Sequence, residues 1–188
     1  DCEDKRTRRL DWNKTVAALS ASDKRNSNIR ELVKACVADG RQTLVLVHRV
    51  EHAAKLAAYL RAGGIQCEAV SGTVERRHRK RRVAGLRNGR VECLVATQLA
   101  DEGLDLPSLA ALIMAAPIRA DGRALQRLGR LTRPKEDGVI PICFDLVDGG
   151  LGSQAKARAT AYAREYDAHA GRTMSMDEAV AVLPTLKM

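Results

Sequence analysis

The sequence is most constrained by short apolar runs that alternate with helical patterns. Residues Thr43 to His48 read TLVLVH, and Val91 to Thr97 read VECLVAT. Such continuous runs are typical of strands buried on both faces, which occur in parallel sheets covered by helices. Between the runs, apolar residues recur at helical spacing, and glycines end the helices at Gly40, Gly63-Gly64 and Gly89. The pattern predicts an α/β fold with a mostly parallel sheet and helices on both faces.

The rest of the chain extends this pattern at both ends. Strands are expected at Thr43–His48, Cys67–Val70, Val91–Thr97, Leu109–Ala115 and Ile140–Val147, and core helices at Ile29–Val37, Ala53–Leu60, Glu75–Asn88 and Arg123–Leu131. Trp12, Val16 and Leu19 predict an amphipathic helix before the core. The stripe Leu151, Ala155, Ala159, Tyr162 and Tyr166 predicts one after it, followed by a short helix from Met176 to Leu183. We expect an N-terminal linker or helical appendage (1–25), a central α/β domain (26–150) and a C-terminal helical extension (151–188).

Composition narrows the classes of partner. The chain has 188 residues and a net charge of +9, which fits a polyanionic partner, while aromatic residues make up only 3% and argue against a base-stacking surface. No apolar run approaches the roughly 20 residues of a membrane span, so we expect no membrane partner. Scattered cysteines without metal-ligand spacing predict reduced core thiols in a cytoplasmic protein and no metal site; they are Cys2, Cys36, Cys67, Cys93 and Cys143.

The carboxyl ends of the predicted strands carry polar residues. They are His48-Arg49, Ser71-Gly72, Thr97-Gln98 and Asp145. Parallel α/β sheets bind ligands at this edge, so the clustering predicts a functional site there.

An arginine-rich segment, QRLGRLTR, follows a predicted helix at residues 126–133. Positions three apart share a helix face, so Arg127, Arg130 and Arg133 can point the same way. Guanidinium groups stabilise the charge that develops on a transferring phosphoryl group. A solvated basic face is the alternative interpretation of the same residues.

A second motif, ATQLADEGLDLP, begins where a predicted strand ends and spans residues 96–107. The hydroxyl of Thr97 at a strand end can hold a backbone phosphate. A carboxylate beside a tight glycine turn can accept hydrogen bonds from a ribose. The alternative is a polar loop capped by Asp101 and ended by Pro107.

Together the two motifs form a specific pattern. A strand ending in ATxxxxEGxDxP, followed about twenty residues later by QRxGRxxR, resembles motifs V and VI of superfamily 2 helicases and translocases. TLVLVHRVEHAAKLAAYL is similar to motif IV, and VSGTVERRHR to the segment after it. The resemblance spans about 26–166. QRLGRLTRPKEDG with ICFDLVD is most similar to the XPB, type III restriction and phage DNA helicase branch, because DEAD-box proteins usually have His where this chain has Gln126.

The resemblance implies a role for each matching residue. Arg130 and Arg133 match arginine fingers that reach ATP, although many relatives have glycine at the position of Thr132. The residues implied at the ATP site or domain interface are Gln126, Arg127, Gly103 and Asp105. The residues implied to contact the nucleic-acid backbone are Arg49, Ser71, Gly72 and Thr97.

The resemblance further implies a RecA-like domain, the C-terminal motor half of an ATP-dependent DNA helicase or translocase. The sequence has neither GxxxxGK[ST] nor a DExx box, so ATP and Mg²⁺ would be held mainly by a first RecA-like domain of a longer chain, and this piece alone would be inactive. Its expected partners are that domain and DNA, single- or double-stranded, bound without sequence preference. The alternatives are a non-catalytic nucleic-acid clamp and the motor of a restriction or remodelling complex.

The stretch ERRHRKRR, residues 75–82, has six permanently basic side chains among eight residues. It could hold duplex DNA or one strand by neutralising phosphates, or it could be an exposed helix face with no ligand. Asp145 and Asp148 after the last strand could close a cleft or act as caps. These alternatives stay open at the level of the sequence.

Overall fold

The fold is a single parallel sheet with helices on both faces. The computed structural model describes residues 11–97, 106, 109–117, 139–165 and 173–186. The strands are β1 (Thr43–Val47), β2 (Cys67–Val70), β3 (Cys93–Thr97), β4 (Ala111–Met114) and β5 (Ile142–Asp145). The helices are α1 (Trp12–Ala21), α2 (Asp23–Ala38), α3 (Val50–Ala62), α4 (Arg76–Arg87), α5 (Gly152–Glu165) and α6 (Met176–Val182), which a 3₁₀ turn (Leu183–Leu186) follows. The strand order is β2-β3-β1-β4-β5, and every neighbouring pair is parallel.

The central strand shows why the sheet is buried on both faces. Val45 and Val47 point into a core shared with α2 and α3, whereas Leu44 and Leu46 point into a second core with Leu86 of α4. Every residue of β1 is buried. Alternate side chains of a strand point to opposite faces, so a continuous apolar run fills both layers. The predicted α/β fold with a mostly parallel sheet is confirmed.

Helices α2, α3 and α6 cover one face of the sheet. Ile29 and Leu32 of α2 and Leu56 of α3 are almost fully buried there. Helix α6 packs against α2, and its Ala179 joins the same core. The C-terminal part of the chain thus contributes to this layer.

Helices α4 and α5 lie on the opposite face. Helix α4 buries only Gly85 and Leu86, since most of its other residues are charged. A Cβ atom on Gly85 would lie 3.0 Å from Cγ2 of Val91, so glycine permits this close approach to the sheet. The turn after α4 passes through Gly89, whose φ of +74° favours glycine, and the sequence predicts the end of the helix at that residue.

The buried stripe predicted on α5 is partly wrong. Ala159 is exposed, and Arg158 is buried in its place. The guanidinium of Arg158 donates from Nε to Oδ2 of Asp145 at 2.7 Å and from Nη2 to Oδ1 at 3.0 Å. Tyr162 donates its hydroxyl to Oδ2 of Asp145 at 3.1 Å, and burial, followed by the charge of Asp145, raises the pKa of Tyr162. The ion pair therefore allows Arg158 to be buried beside Leu151 and Tyr162 of the stripe, while Ala159 is left at the surface.

Three cysteines agree with the prediction of core thiols. Cys36, Cys67 and Cys93 are buried and free, whereas Cys143 on β5 is exposed, contrary to the prediction. Burial raises the pKa of Cys36 to about 12, so its thiol stays protonated and unreactive near neutral pH. Cys143 differs because β5 is an edge strand with mixed burial. Cys2, Tyr166 and the predicted helix at 123–131 lie outside the described residues.

Candidate nucleic-acid interface

Residues predicted to contact nucleic acid follow three neighbouring strands at one edge of the sheet. Thr97 ends β3 and pairs in register with Val47 of β1. Val70 of β2 pairs with Ala96, so Ser71 lies level with Thr97. Neighbouring strands are about 4.8 Å apart, and the structure thus brings these backbone positions side by side. We call Arg49, Ser71, Gly72 and Thr97 the strand-end group.

The turn after β2 is held by its own hydroxyl groups. Oγ of the buried Ser71 lies 2.9 Å from Oγ1 of Thr73, and the carbonyl of Ser71 accepts a hydrogen bond from the amide of Val74 at 3.1 Å. Gly72 is exposed between them. The turn is fixed internally and presents a backbone without a side chain to the solvent, which suits close approach of a phosphate.

Thr97 has a hydroxyl group that makes no hydrogen bond to the described part of the chain. The residue is only 3% exposed, and its Oγ1 has no hydrogen-bond partner among the described residues. A buried hydroxyl without a partner costs about 1–3 kcal/mol. The hydroxyl is therefore suited to a partner at the strand end that the described part of the chain does not supply.

Arg49 joins the strand end to the N-terminal helix. It is the residue before α3, with φ −107° and ψ 141°, and its Nη2 donates to the carbonyl of Asn13 on α1 at 3.0 Å. The ring of Trp12 lies edge-on to that of His48, with centroids 6.1 Å apart. Burial, followed by the charge of Arg49, lowers the pKa of His48, which keeps its ring neutral at pH 7. The sequence analysis did not predict that α1 contacts Arg49 and His48. The available signal was Trp12, the single tryptophan of the chain, which adjoins Asn13.

A buried ion pair joins helix α2 to the segment that follows β5. Arg25 of α2 donates from Nε to Oδ1 of Asp148 at 2.6 Å and from Nη2 to Oδ2 at 2.9 Å. The same Nη2 donates to the carbonyl of Ala115, just after β4, at 2.8 Å. The carboxylate of Asp148 is therefore held by the fold, and this arrangement favours a structural role. Sequence reasoning missed Arg25, which no local pattern distinguishes from the exposed basic residues around it.

His52 lies beside this ion pair on the buried face of α3. Its Nε2 is 2.9 Å from Oδ1 of Asn26, and the residue is only 4% exposed. Burial, followed by the positive charge of Arg25, lowers the pKa of His52 to about 4. A neutral histidine hydrogen-bonded to an amide fits a structural role rather than proton transfer at neutral pH.

The residues predicted for the ATP site lie outside the described residues. They are Gly103, Asp105, Gln126, Arg127, Arg130 and Arg133. Across the described ranges, no group of three or more His, Cys, Asp or Glu side chains could hold a metal ion. In the same ranges, no helix is long and apolar enough to cross a membrane.

Comparison with known proteins identifies a protein family and several related sequences. Residues 24–135 match the model of the helicase conserved C-terminal domain. A provisionally named helicase, helicase 22 of Sulfolobus islandicus filamentous virus, is 32% identical over 104 residues, which cover 55% of this chain and 19% of that protein. UvrABC system protein B of Campylobacter hominis is 28% identical over 130 residues, covering 66% and 20%. The chain spans about a fifth of the length of these relatives.

Solved structures share the fold. Dbp5 of S. cerevisiae, solved bound to RNA and ADP BeF3, superposes with a TM-score of 0.67 at 16% identity. The match covers 86% of this chain and 41% of that one. This likeness supports the RecA-like arrangement of the sheet, and the family match covers more than half of the sequence. The chain belongs to the helicase conserved C-terminal domain family of superfamily 2 helicases, and its fold is RecA-like.

Proposed function

We propose that this chain is the second motor domain of an ATP-dependent helicase or translocase that moves along DNA. The observation that carries the proposal is the strand-end group, with the hydroxyl of Thr97, which has no hydrogen-bond partner in the described ranges, at its centre. Hydroxyl groups, backbone amides and arginine side chains are the usual contacts to phosphates, and they carry no sequence preference. Binding through this group would therefore let the motor hold any sequence and step along it.

The ATP-dependent step would use the arginines of QRLGRLTR. Arg130 and Arg133 would approach the γ-phosphate of ATP bound on a first RecA-like domain and stabilise the charge of phosphoryl transfer. Gln126, Arg127, Gly103 and Asp105 would complete the interface. ATP and Mg²⁺ would be held mainly by that other domain, so this chain alone is expected to lack ATPase activity. Support comes from the helicase family match and from this motif in the chain.

The proposed helicase branch rests partly on the same motif. Gln126 at its start and the ICFDLVD strand favour the XPB, type III restriction and phage DNA helicase branch. Against a preference for DNA stands the similarity in fold to Dbp5, which was solved bound to RNA. We keep DNA as the proposed substrate and a cytoplasmic location. The proposed organisation remains an N-terminal appendage (1–25), a RecA-like domain (26–150) and a helical extension (151–188).

The test is ATP hydrolysis by the full-length protein with single-stranded DNA, double-stranded DNA and RNA. Arg130→Ala should lower the stimulated kcat by on the order of 10³-fold, as expected for an arginine finger, and leave DNA binding intact. Arg164→Ala, which removes an exposed arginine of α5, is the matched control. Normal ATPase activity in R130A would contradict the proposal that Arg130 is an arginine finger. ATPase activity that neither DNA nor RNA stimulates would contradict the proposed motor function.

A further inference from the structure

Helix α4 has a strongly basic surface that the proposed motor does not explain. Four of its side chains are exposed and make no hydrogen bond or ion pair in the described part of the chain. These are Arg76, Arg77, Lys80 and Arg81, which we call the basic face. They occupy neighbouring positions on two successive turns, so their charges lie on one side of the helix.

Other basic residues of α4 are used by the fold. Arg79 donates to the carbonyl of Val74 at 3.1 Å, and Arg82 donates to the carbonyl of Ala69 and lies 3.4 Å from Glu68. Those two anchor the helix to the turn before it and to β2. The basic face is therefore separable from the structural arginines of the same helix.

The basic face weakens the helix that carries it. The first turn of α4 contains no acidic residue, and Glu75 before it forms no side-chain capping bond. Apart from the carboxylate of Glu75, the charged side chains at the positive end of the helix dipole are therefore basic. Arg77 and Arg81 repel each other one turn apart, as do Arg76 and Lys80. An anionic partner would relieve both effects.

The position of the basic face connects it to the strand-end group. Helix α4 follows the turn of Ser71 and Gly72, so its basic first turn emerges at the edge where Thr97 ends β3. A nucleic acid held at that edge would continue over α4. The helix has no Phe, Tyr or Trp, so its contacts would be to phosphates and not to stacked bases.

We propose that the basic face binds the phosphate backbone of duplex nucleic acid, as a second contact separate from the strand-end group. A duplex hides its bases and offers two phosphate rows, which suits a surface of charges without aromatic side chains. The inference deepens the proposed function by assigning contact with the duplex to the basic face of α4, but binding at this surface needs no ATP.

The experiment compares two variants of the full-length protein without nucleotide. R77Q/K80Q/R81Q removes three charges from α4, and K24Q/K34Q/K55Q removes three exposed charges from α2 and α3 on the opposite face of the sheet. Binding is measured for a blunt DNA duplex, an RNA duplex and a DNA single strand of equal length, over a series of salt concentrations.

We expect the α4 variant to weaken duplex binding about tenfold or more, and to reduce the salt slope by about 0.9 for each phosphate that the helix no longer neutralises. Single-strand binding should change less than about twofold, and the control variant should behave like the unaltered protein. The two duplexes show whether the surface distinguishes DNA from RNA.

Three results would overturn the inference. Unchanged duplex binding by the α4 variant would show that the basic face does not contact the duplex. Equal weakening by both variants would show that only the net charge matters, and equal loss of single-strand and duplex binding would show that α4 belongs to the strand-end contact. The proposed motor is judged separately, by stimulation of the ATPase of the unaltered protein. Its failure would leave the binding comparison intact.

Discussion

The guanidinium of Arg49 donates to the main-chain carbonyl of Asn13 at 3.0 Å, so a residue predicted to contact nucleic acid is already bound to helix α1. The bond uses Nη2, and a guanidinium has five N–H donors. Arg49 can therefore keep this bond and still donate to a phosphate. It is half-buried, which restricts its side chain to the neighbourhood of the strand ends.

Arg49→Ala should raise the concentration of single-stranded DNA that half-saturates the ATPase of the full-length protein. Loss of one charge-assisted hydrogen bond corresponds to about 1.5–3 kcal/mol, or about tenfold or more. The maximal rate should stay unchanged, because the substitution leaves the residues proposed to contact ATP in place. Lys55→Ala, an exposed cation on α3, serves as the control. An unchanged half-saturation in R49A would remove Arg49 from the interface.

Thr97→Val should weaken nucleic-acid binding several-fold without lowering the stability of the domain. Valine has nearly the shape of threonine, and the hydroxyl it removes has no partner among the described residues. Replacing an unpaired buried hydroxyl by a methyl group should leave the free energy of unfolding equal or higher. Denaturant unfolding and DNA titration measure the two effects. Destabilisation by more than about 1 kcal/mol would show that the fold itself uses the hydroxyl.

Arg25→Met should destabilise the domain by about 3–5 kcal/mol, because it leaves the carboxylate of Asp148 partly buried without its cation. The double variant R25M/D148L should recover much of that loss, since no charge is then left unpaired. Urea unfolding of the two variants gives the comparison. Equal stability of R25M and the unaltered protein would contradict the structural role of this pair.

Stability should fall with acidification because of His52. Its pKa is about 4 in the folded state and near 6.5 in an exposed histidine, so the unfolded chain binds the proton more tightly. The stabilising contribution is complete above pH 6.5, and acid removes it progressively down to about pH 4. The loss amounts to a few kcal/mol at most, about 1.4 kcal/mol for each pKa unit.

His52→Gln keeps a polar group near Asn26 and should flatten that part of the pH dependence. His78→Gln, at an exposed position on α4, should leave it unchanged. Urea unfolding at several pH values between 4 and 7 measures the slope. The attribution of this pH dependence to His52 is wrong if the stability of H52Q changes with pH as steeply as that of the unaltered protein.

Arg77→Glu should raise the stability of the domain while it weakens duplex binding. A carboxylate in the first turn favours the helix dipole, and it can pair with Arg81 one turn later. Together these effects should add about 0.5–1.5 kcal/mol. Thermal unfolding and duplex titration should therefore move in opposite directions. A fall in thermal stability would show that Arg77 supports the fold.

The sheet was predictable because each strand has its own local pattern. The continuous apolar run predicted β1 within one residue, and the short strand predicted at Cys67–Val70 has the observed bounds of β2. Strand β3 begins two residues later than predicted, at Cys93. The difference arises because the pairing with β1 begins at Thr43 and Cys93, which the apolar run alone does not specify. The edge position of the strand-end group followed from the general rule for parallel sheets.

The polar contacts between distant elements were not predictable. Arg25 and Asp148 are 123 residues apart, and helical spacing contains no information about such a partner. Arg158 was missed for a related reason. It lies on the same side of α5 as Leu151 and Tyr162, and its bonds to Asp145 allow a charged side chain to be buried where the pattern of apolar residues predicts Ala159.

The edge-on packing of Trp12 against His48 has a practical consequence. Trp12 is the single tryptophan of the chain, and its ring lies beside the residue that precedes Arg49. Indole fluorescence excited selectively in this chain therefore originates next to the strand ends. A bound strand that displaces α1 or shifts it relative to β1 would alter that emission, so the domain carries an intrinsic optical probe at its own binding edge.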